Sequence, residues 1–294
     1  MDKELVEKKL ASKGTNLDKL RQAFKAQQDE GGGGNYNWWK PQWQDNVVRI
    51  LPAMDPEDVF FHPTARHRVN GEFYYCLKYD VDPETGRGKK CPICEARTRL
   101  FRSGDVDLIK IAKDIKAKKQ FLMNLIDRAS EDPARVYVYA AGVKIYNKIV
   151  STMLDDDIDI TDVDNGFDFI VKKEEGPKSE AGQFPAYDNS RAKRKSEPLH
   201  KDPEVAQKIL DGRNTLKAIP RFDDAERLQA AVDGYIQSLT DGTAKSEQFF
   251  EGEGDKTPAP AGAAPSAKAQ SHLADFRKKL TDSLRAEDDE EDEN

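Results

Sequence analysis

The chain has 294 residues, enough for one large domain or two with extended ends, and at 37% hydrophobic and 34% charged it commits part of its length to staying outside any core. Its formal net charge of −7 is unfavourable for a nucleic-acid binder, but seven consecutive acids, Glu287 to Glu293, carry all of it and leave 47 acidic against 47 basic residues elsewhere. No apolar run reaches the roughly eighteen residues a membrane helix needs. Three cysteines with no leader segment are expected in a reducing cytoplasm rather than in a secreted disulfide framework.

Residues 1–34 read as a lysine-rich helical arm, with Leu5, Val6, Leu10, Leu17, Leu20 and Phe24 at helical spacing, ended by four consecutive glycines at 31–34 that serve as a hinge. From Asn35 the character changes: all three tryptophans (38, 39, 43) lead into Val47–Leu51, a strand closed by Pro52. Phe60-Phe61 and Phe73–Tyr75 are further strands, the second entered through the Asn70-Gly71 hairpin signal. Residues 95–119 read as helix in two pieces broken near Ser103-Gly104, followed by strands at 121–126 and 136–139 and a helix at 143–154. A strand at 167–171 precedes a polar, basic loop. Helices are expected around 205–210 and over 223–239, with a break at Pro220. Gly252 to Ser271, rich in Pro, Ala and Gly, is a linker to a short stripe of Leu273, Phe276, Leu280 and Leu284. Short strands separated by turns, with helices inserted, predict a mainly β fold: a barrel with additions.

The densest chemistry is His62…His67…Cys76…Cys91-Pro-Ile-Cys94. Two thiols with two residues between them can reach one tetrahedral metal from a single turn, and Cys76 plus one histidine completes a Cys₃His set. Such a set, closed at four ligands, selects zinc, one per chain, in a structural rather than catalytic role. His67 is favoured by its reach to the cysteine-bearing turn. His62, before Pro63, stands as the alternative.

Cations and aromatics interleave in the middle of the chain. Lys116, Lys118 and Lys119 precede Phe121; Tyr137 and Tyr139 alternate on a strand before Lys144; Phe184 and Tyr187 precede Arg191, Lys193, Arg194 and Lys195. A single-stranded nucleic-acid groove has this composition, cations holding phosphates and aromatic faces stacking on bases. Strand tyrosines and lysine runs also serve as core packing and solvated faces. No phosphate-binding loop, dinucleotide fingerprint or nucleophile–base pair is present, so the chain is not expected to be an enzyme.

In their order these segments resemble the single-stranded DNA-binding proteins of T4-like bacteriophages, the gene 32 helix-destabilising proteins. The lysine-rich arm, Asn46–Pro52, the Asn70-Gly71 hairpin, the three cysteines, Lys116–Asn124, Tyr146–Ile149, Asn165–Val171, Phe184–Ser190 and the acidic end carry the resemblance. It implies an OB-fold core over residues 35–250, with a zinc subdomain at about 60–100. It implies cooperative, sequence-independent coating of single-stranded DNA during phage replication, recombination and repair. Residues 1–34 would mediate self-association, with Lys8, Lys9, Ser12 and Lys13 at the contact, and 251–294 would form a disordered linker and an acidic tail that recruits replication and recombination proteins. Three departures are visible: the arm's basic cluster is diluted, the histidine does not stand at the family's usual distance from the first cysteine, and Leu122 stands where the family's pattern has tryptophan. A zinc-stabilised adaptor that binds proteins instead of DNA is the alternative function.

Overall fold

A computed structural model describes residues 36–179 and 182–240. The arm residues Lys8, Lys9, Ser12 and Lys13 and the acidic tail lie outside the described residues. From Trp38 onward the chain forms nine strands and, among the described residues, five α-helices. The strands are β1 Asp45–Ile50, β2 Phe61–Val69, β3 Glu72–Tyr75, β4 Lys118–Asp127, β5 Val136–Gly142, β6 Phe167–Lys172, β7 Glu174–Ser179, β8 Gly182–Ala186 and β9 Arg191–Ser196. The helices are α1 Pro92–Arg102, α2 Val106–Asp114, α3 Val143–Asp155, α4 Pro203–Asp211 and α5 Ala225–Thr240. The fold is mainly β with added helices, as the alternating pattern predicts. The basic stretch read as a loop instead forms the β7–β8 hairpin and β9, which pairs with β6. Its polar composition hid strands that bury little.

The central strand is β4. One of its edges is shared, Lys118–Met123 pairing with β2 and Leu125–Asp127 with β1, while β5 runs antiparallel along Gln120–Ile126. The sheet continues outward as β1–β6–β9 on one side and β2–β3 on the other. A strand divided between two partners in this way curls the sheet, as small antiparallel barrels require. Both faces of β4 are covered, which explains its unbroken apolar run: Phe121, Met123 and Leu125 enter one core with Val48, Ile50, Tyr139, Ile145 and Phe169, and Ile126 enters a small second core with Leu199 and Ile209 of α4.

A third core builds a separate lobe. Ala65 and Val69 of β2, Ile93, Ala96 and Leu100 of α1, Leu108 and Ile111 of α2, and Leu228, Val232 and Ile236 of α5 pack together with Cys76 and Cys91. The lobe therefore recruits a helix more than a hundred residues downstream, a pairing that no local pattern encodes. The β2–β3 turn places Asn70 at φ 50° and Gly71 at φ 85°, the two positive values a type I′ hairpin demands.

Candidate metal centre and nucleic-acid interface

The four candidate metal ligands come from three elements. His67 sits near the C-terminal end of β2 on the face shared with buried Ala65 and Val69, Cys76 follows β3, and Cys91 and Cys94 occupy the cap and first turn of α1, which begins at Pro92. A helix N-terminus favours thiolate over thiol. His67 is fully buried, and its Nδ1 donates to the Ile115 carbonyl at 2.8 Å. That bond leaves Nε2 facing the sulfurs, 3.5 Å from both Cys91 and Cys94 Sγ, and orients the ring as metal-bound histidines are oriented. Cys76 and Cys94 Sγ are 3.6 Å apart, and the four donors lie within 4.8 Å of one another, close enough to hold one metal ion. Burial opposes protonation of His67, but hydrogen bonds with Cys91, Cys94 and the Ile115 carbonyl outweigh it and raise its pKa to about 9. Hydrogen bonds from Cys76 and Cys94 hold Cys91 far below the usual thiol range. His62 pairs with Leu122 at the other end of β2 and is absent from the donor cluster.

Beside this lobe, at the start of β2 and the middle of β4, four aromatic rings gather. Phe121 stacks on Tyr146 at 3.4 Å with 4° between the planes. Phe61 meets both rings edge-on at 5.7 Å and 4.8 Å, and Phe60 meets Phe61 at 5.3 Å. Lys119 Nζ lies 5.0 Å above the Phe121 ring. Lys119 is exposed, and Phe60, Phe61 and Tyr146 are half-buried. Cations beside part-open aromatic faces are what single-stranded nucleic acid stacks on. Residues 43–238, about two thirds of the chain, match the family described as gp32 DNA binding protein like.

The chain belongs to that family. Its members bind single-stranded DNA. No curated protein matches the chain.

The remaining predicted contact residues of this gp32-like chain are dispersed. Lys116 is exposed after α2, Lys118 lies on β4 opposite Arg66, and Lys144 is exposed in the first turn of α3. Phe184 ends in β8 and Tyr187 follows it, both half-buried, with Tyr187 packed on the barrel core. Arg191, Arg194 and Lys195 are exposed along β9. Four residues have other duties. Phe121 is 4% exposed, lies in the core and has one face covered by Tyr146, so it supports the cluster from beneath and offers no stacking face of its own. Tyr139 is 7% exposed and meets Trp39 edge-on at 4.8 Å, as a core side chain rather than a stacking face. Tyr137 hydrogen-bonds Ser130 at 3.1 Å, beside Arg135. Lys193 contacts Asp168 at 3.2 Å.

Asp168 is the hub of a network that sequence reasoning missed. It also accepts from Arg49 Nε at 3.0 Å and Arg128 Nη2 at 2.8 Å, and those arginines donate onward to the carbonyls of Glu197 and Leu199. Burial alone would raise the Asp168 pKa, but Arg128, then Arg49 and Lys193, hold it below the ordinary carboxylate value. Also missed are Arg66 and Arg68, whose guanidinium carbons lie 5.1 Å and 5.8 Å from the exposed Phe73 ring. The signal was present in the alternation Arg66-x-Arg68 facing Phe73 across the hairpin.

Proposed function

We propose that this protein coats single-stranded DNA cooperatively and without sequence preference in phage replication, recombination and repair. The strand would lie along the seam where β2 and β4 leave the barrel for the metal lobe. The observation that carries the reading is the cluster of exposed Lys119 with half-buried Phe61 and Tyr146 at that seam, seated on buried Phe121, in a chain of a DNA-binding family. Lys116, Lys118, Lys144, Arg191, Arg194 and Lys195 would hold phosphates beside it, and Phe184 and Tyr187 would extend the stacking surface.

The metal in this reading is one structural zinc on His67, Cys76, Cys91 and Cys94. Zinc bonds of about 2.3 Å to sulfur and about 2.0–2.1 Å to nitrogen give tetrahedral edges of about 3.8 Å and about 3.6 Å. The observed separations of 3.6 Å between sulfurs and 3.5 Å between sulfur and nitrogen fit them. Three thiolates and an imidazole fill four positions, so zinc would tie β2, β3 and α1 together without supplying chemistry. Residues 1–34 would join neighbouring protomers on DNA, and the acidic tail would recruit replication and recombination proteins in a host cytoplasm. Among the described residues no helix is long and apolar enough to cross a membrane.

Titration of intrinsic fluorescence with poly(dT) at two salt concentrations tests the reading. Quenching with affinity that falls as salt rises is expected, because phosphate contacts release counterions. A salt-independent signal, or equal affinity for duplex DNA, would refute it and favour a protein-binding adaptor.

A further inference from the structure

The metal lobe carries a second feature, apart from the aromatic seam. One face of α1, with Ile93, Ala96 and Leu100, is buried in the lobe. The opposite stripe at helical spacing, Glu95, Thr98, Arg99 and Arg102, lines an open depression of about 600 Å³. Its other wall is the loop bearing Lys78, Lys89 and Lys90, and Cys91 and Cys94 complete the lining. The loop is held closed by backbone. Lys89 N–H donates to the Leu77 carbonyl at 3.1 Å, and Gly88 lies so near Lys78 that a Cβ there would stand 2.0 Å from the Lys78 carbonyl oxygen. Five cations therefore face one lining carboxylate, Glu95; Lys89 also pairs with Asp80 at 2.7 Å.

We infer that this depression is a phosphate-binding site for the DNA strand, outside the aromatic seam. The inference rests on the single-stranded DNA reading above. No aromatic side chain lines the depression, so it offers nothing for a base to stack on. It therefore holds backbone alone, and arginine forks match phosphate oxygens. No aliphatic or aromatic side chain lines it, which argues against the chain's own tail, whose acids follow the stripe of Leu273, Phe276, Leu280 and Leu284. The metal ligands beneath would give the site a rigid floor.

The test is the full-length Arg99→Gln/Arg102→Gln variant, with Lys78→Gln on the facing wall as a second variant that leaves α1 untouched. Both are titrated with poly(dT) across a salt series. Each lost phosphate contact lowers the slope of log affinity against log salt by about 0.7, so the double variant should lose about 1.4 units and the single about 0.7. Maximal fluorescence quenching, metal content and melting temperature should match the parent. An unchanged slope in variants that still bind DNA overturns the site while leaving the seam intact. Failure of the parent to bind poly(dT) overturns both. A rise in DNA affinity would assign the depression to the acidic tail, and loss of metal would show that the cations serve only to balance the thiolates. Either result overturns the proposal.

Discussion

Asp168→Asn should be among the most damaging conservative substitutions in the barrel. The Asp168 side chain is 3% exposed and Arg49 is 1% exposed, so their pairing takes place out of water. Removing one member of a buried ion pair leaves an uncompensated charge and costs about 3–5 kcal/mol. Arg49 is already short of a partner, since its Nη1 is buried without one. Lys193 and Arg128, at 37% and 24% exposure, can turn to solvent and contribute much less. Asparagine keeps one acceptor oxygen, so the lower figure applies. For a folded unit of this size, about 3 kcal/mol lowers the melting temperature by about 6–12 °C. Because the folded-state pKa of Asp168 lies below its unfolded value, the stabilisation is fully present above about pH 4 and is lost as pH falls through the folded value. Melting curves of parent and variant, followed by circular dichroism from neutral pH downward, should start far apart and converge in acid. Both proteins carry the same four candidate metal ligands, so the acid sensitivity of that cluster cancels in the difference. A gap below about 2 °C at neutral pH, or one that does not narrow on acidification, would refute the assignment of Asp168 as an ionised hub.

Elemental analysis should return about one zinc per chain, with Cys91→Ala losing metal and thermal stability. His67→Ala should lose metal and His62→Ala retain it; the reverse would reassign the ligand. Tyr146→Leu should weaken binding to poly(dT) by about 1–3 kcal/mol, the worth of one stacked base, measured by fluorescence anisotropy. Tyr139→Leu should lower the melting temperature and leave affinity at low temperature nearly unchanged. Deleting residues 1–34 should flatten the isotherm on long strands and spare affinity for a one-site oligonucleotide. Truncation after Gly254 should raise single-stranded DNA affinity most at low salt, where charge interactions are least screened, and abolish capture of replication proteins.

The strands that bury a face were legible. Phe121–Ile126, Val136–Tyr139 and Phe167–Val171 fall within strands, and Val47–Leu51 does so except for its last residue, because apolar β-formers between turn residues have few other solutions. The cluster of four donors was legible for a related reason: thiols and imidazoles are rare enough that their spacing stands out. His67 could be preferred over His62, yet its bond to Ile115 and the contribution of α5 to the lobe were not, because both join residues far apart in sequence. The basic residues misled most evenly. Lys193 and Arg194 are neighbours of one charge and indistinguishable in sequence, but alternation on β9 turns Lys193 toward Asp168 and leaves Arg194 exposed. Tyr137 and Tyr139 point to the same face, and only the packing of Trp39 against Tyr139 separates the buried ring from the half-open one.

The single strand β2 carries Phe61 of the aromatic cluster at its first residue and His67 of the metal centre six residues on. Six is even, so both side chains leave the same face, about 20 Å apart along a rigid extended backbone. Inserting or deleting one residue between them would turn one of the two to the opposite side. The strand thus imposes a counting rule: length changes between Phe61 and His67 are tolerable only in pairs. The loop from Cys76 to Cys91 is under no such parity and is the place where this lobe can grow or shrink. A family aligned on its cysteines alone would not reveal that rule; a strand inserted with the wrong parity would, by losing either the metal or the stacking surface while keeping every ligand in its sequence.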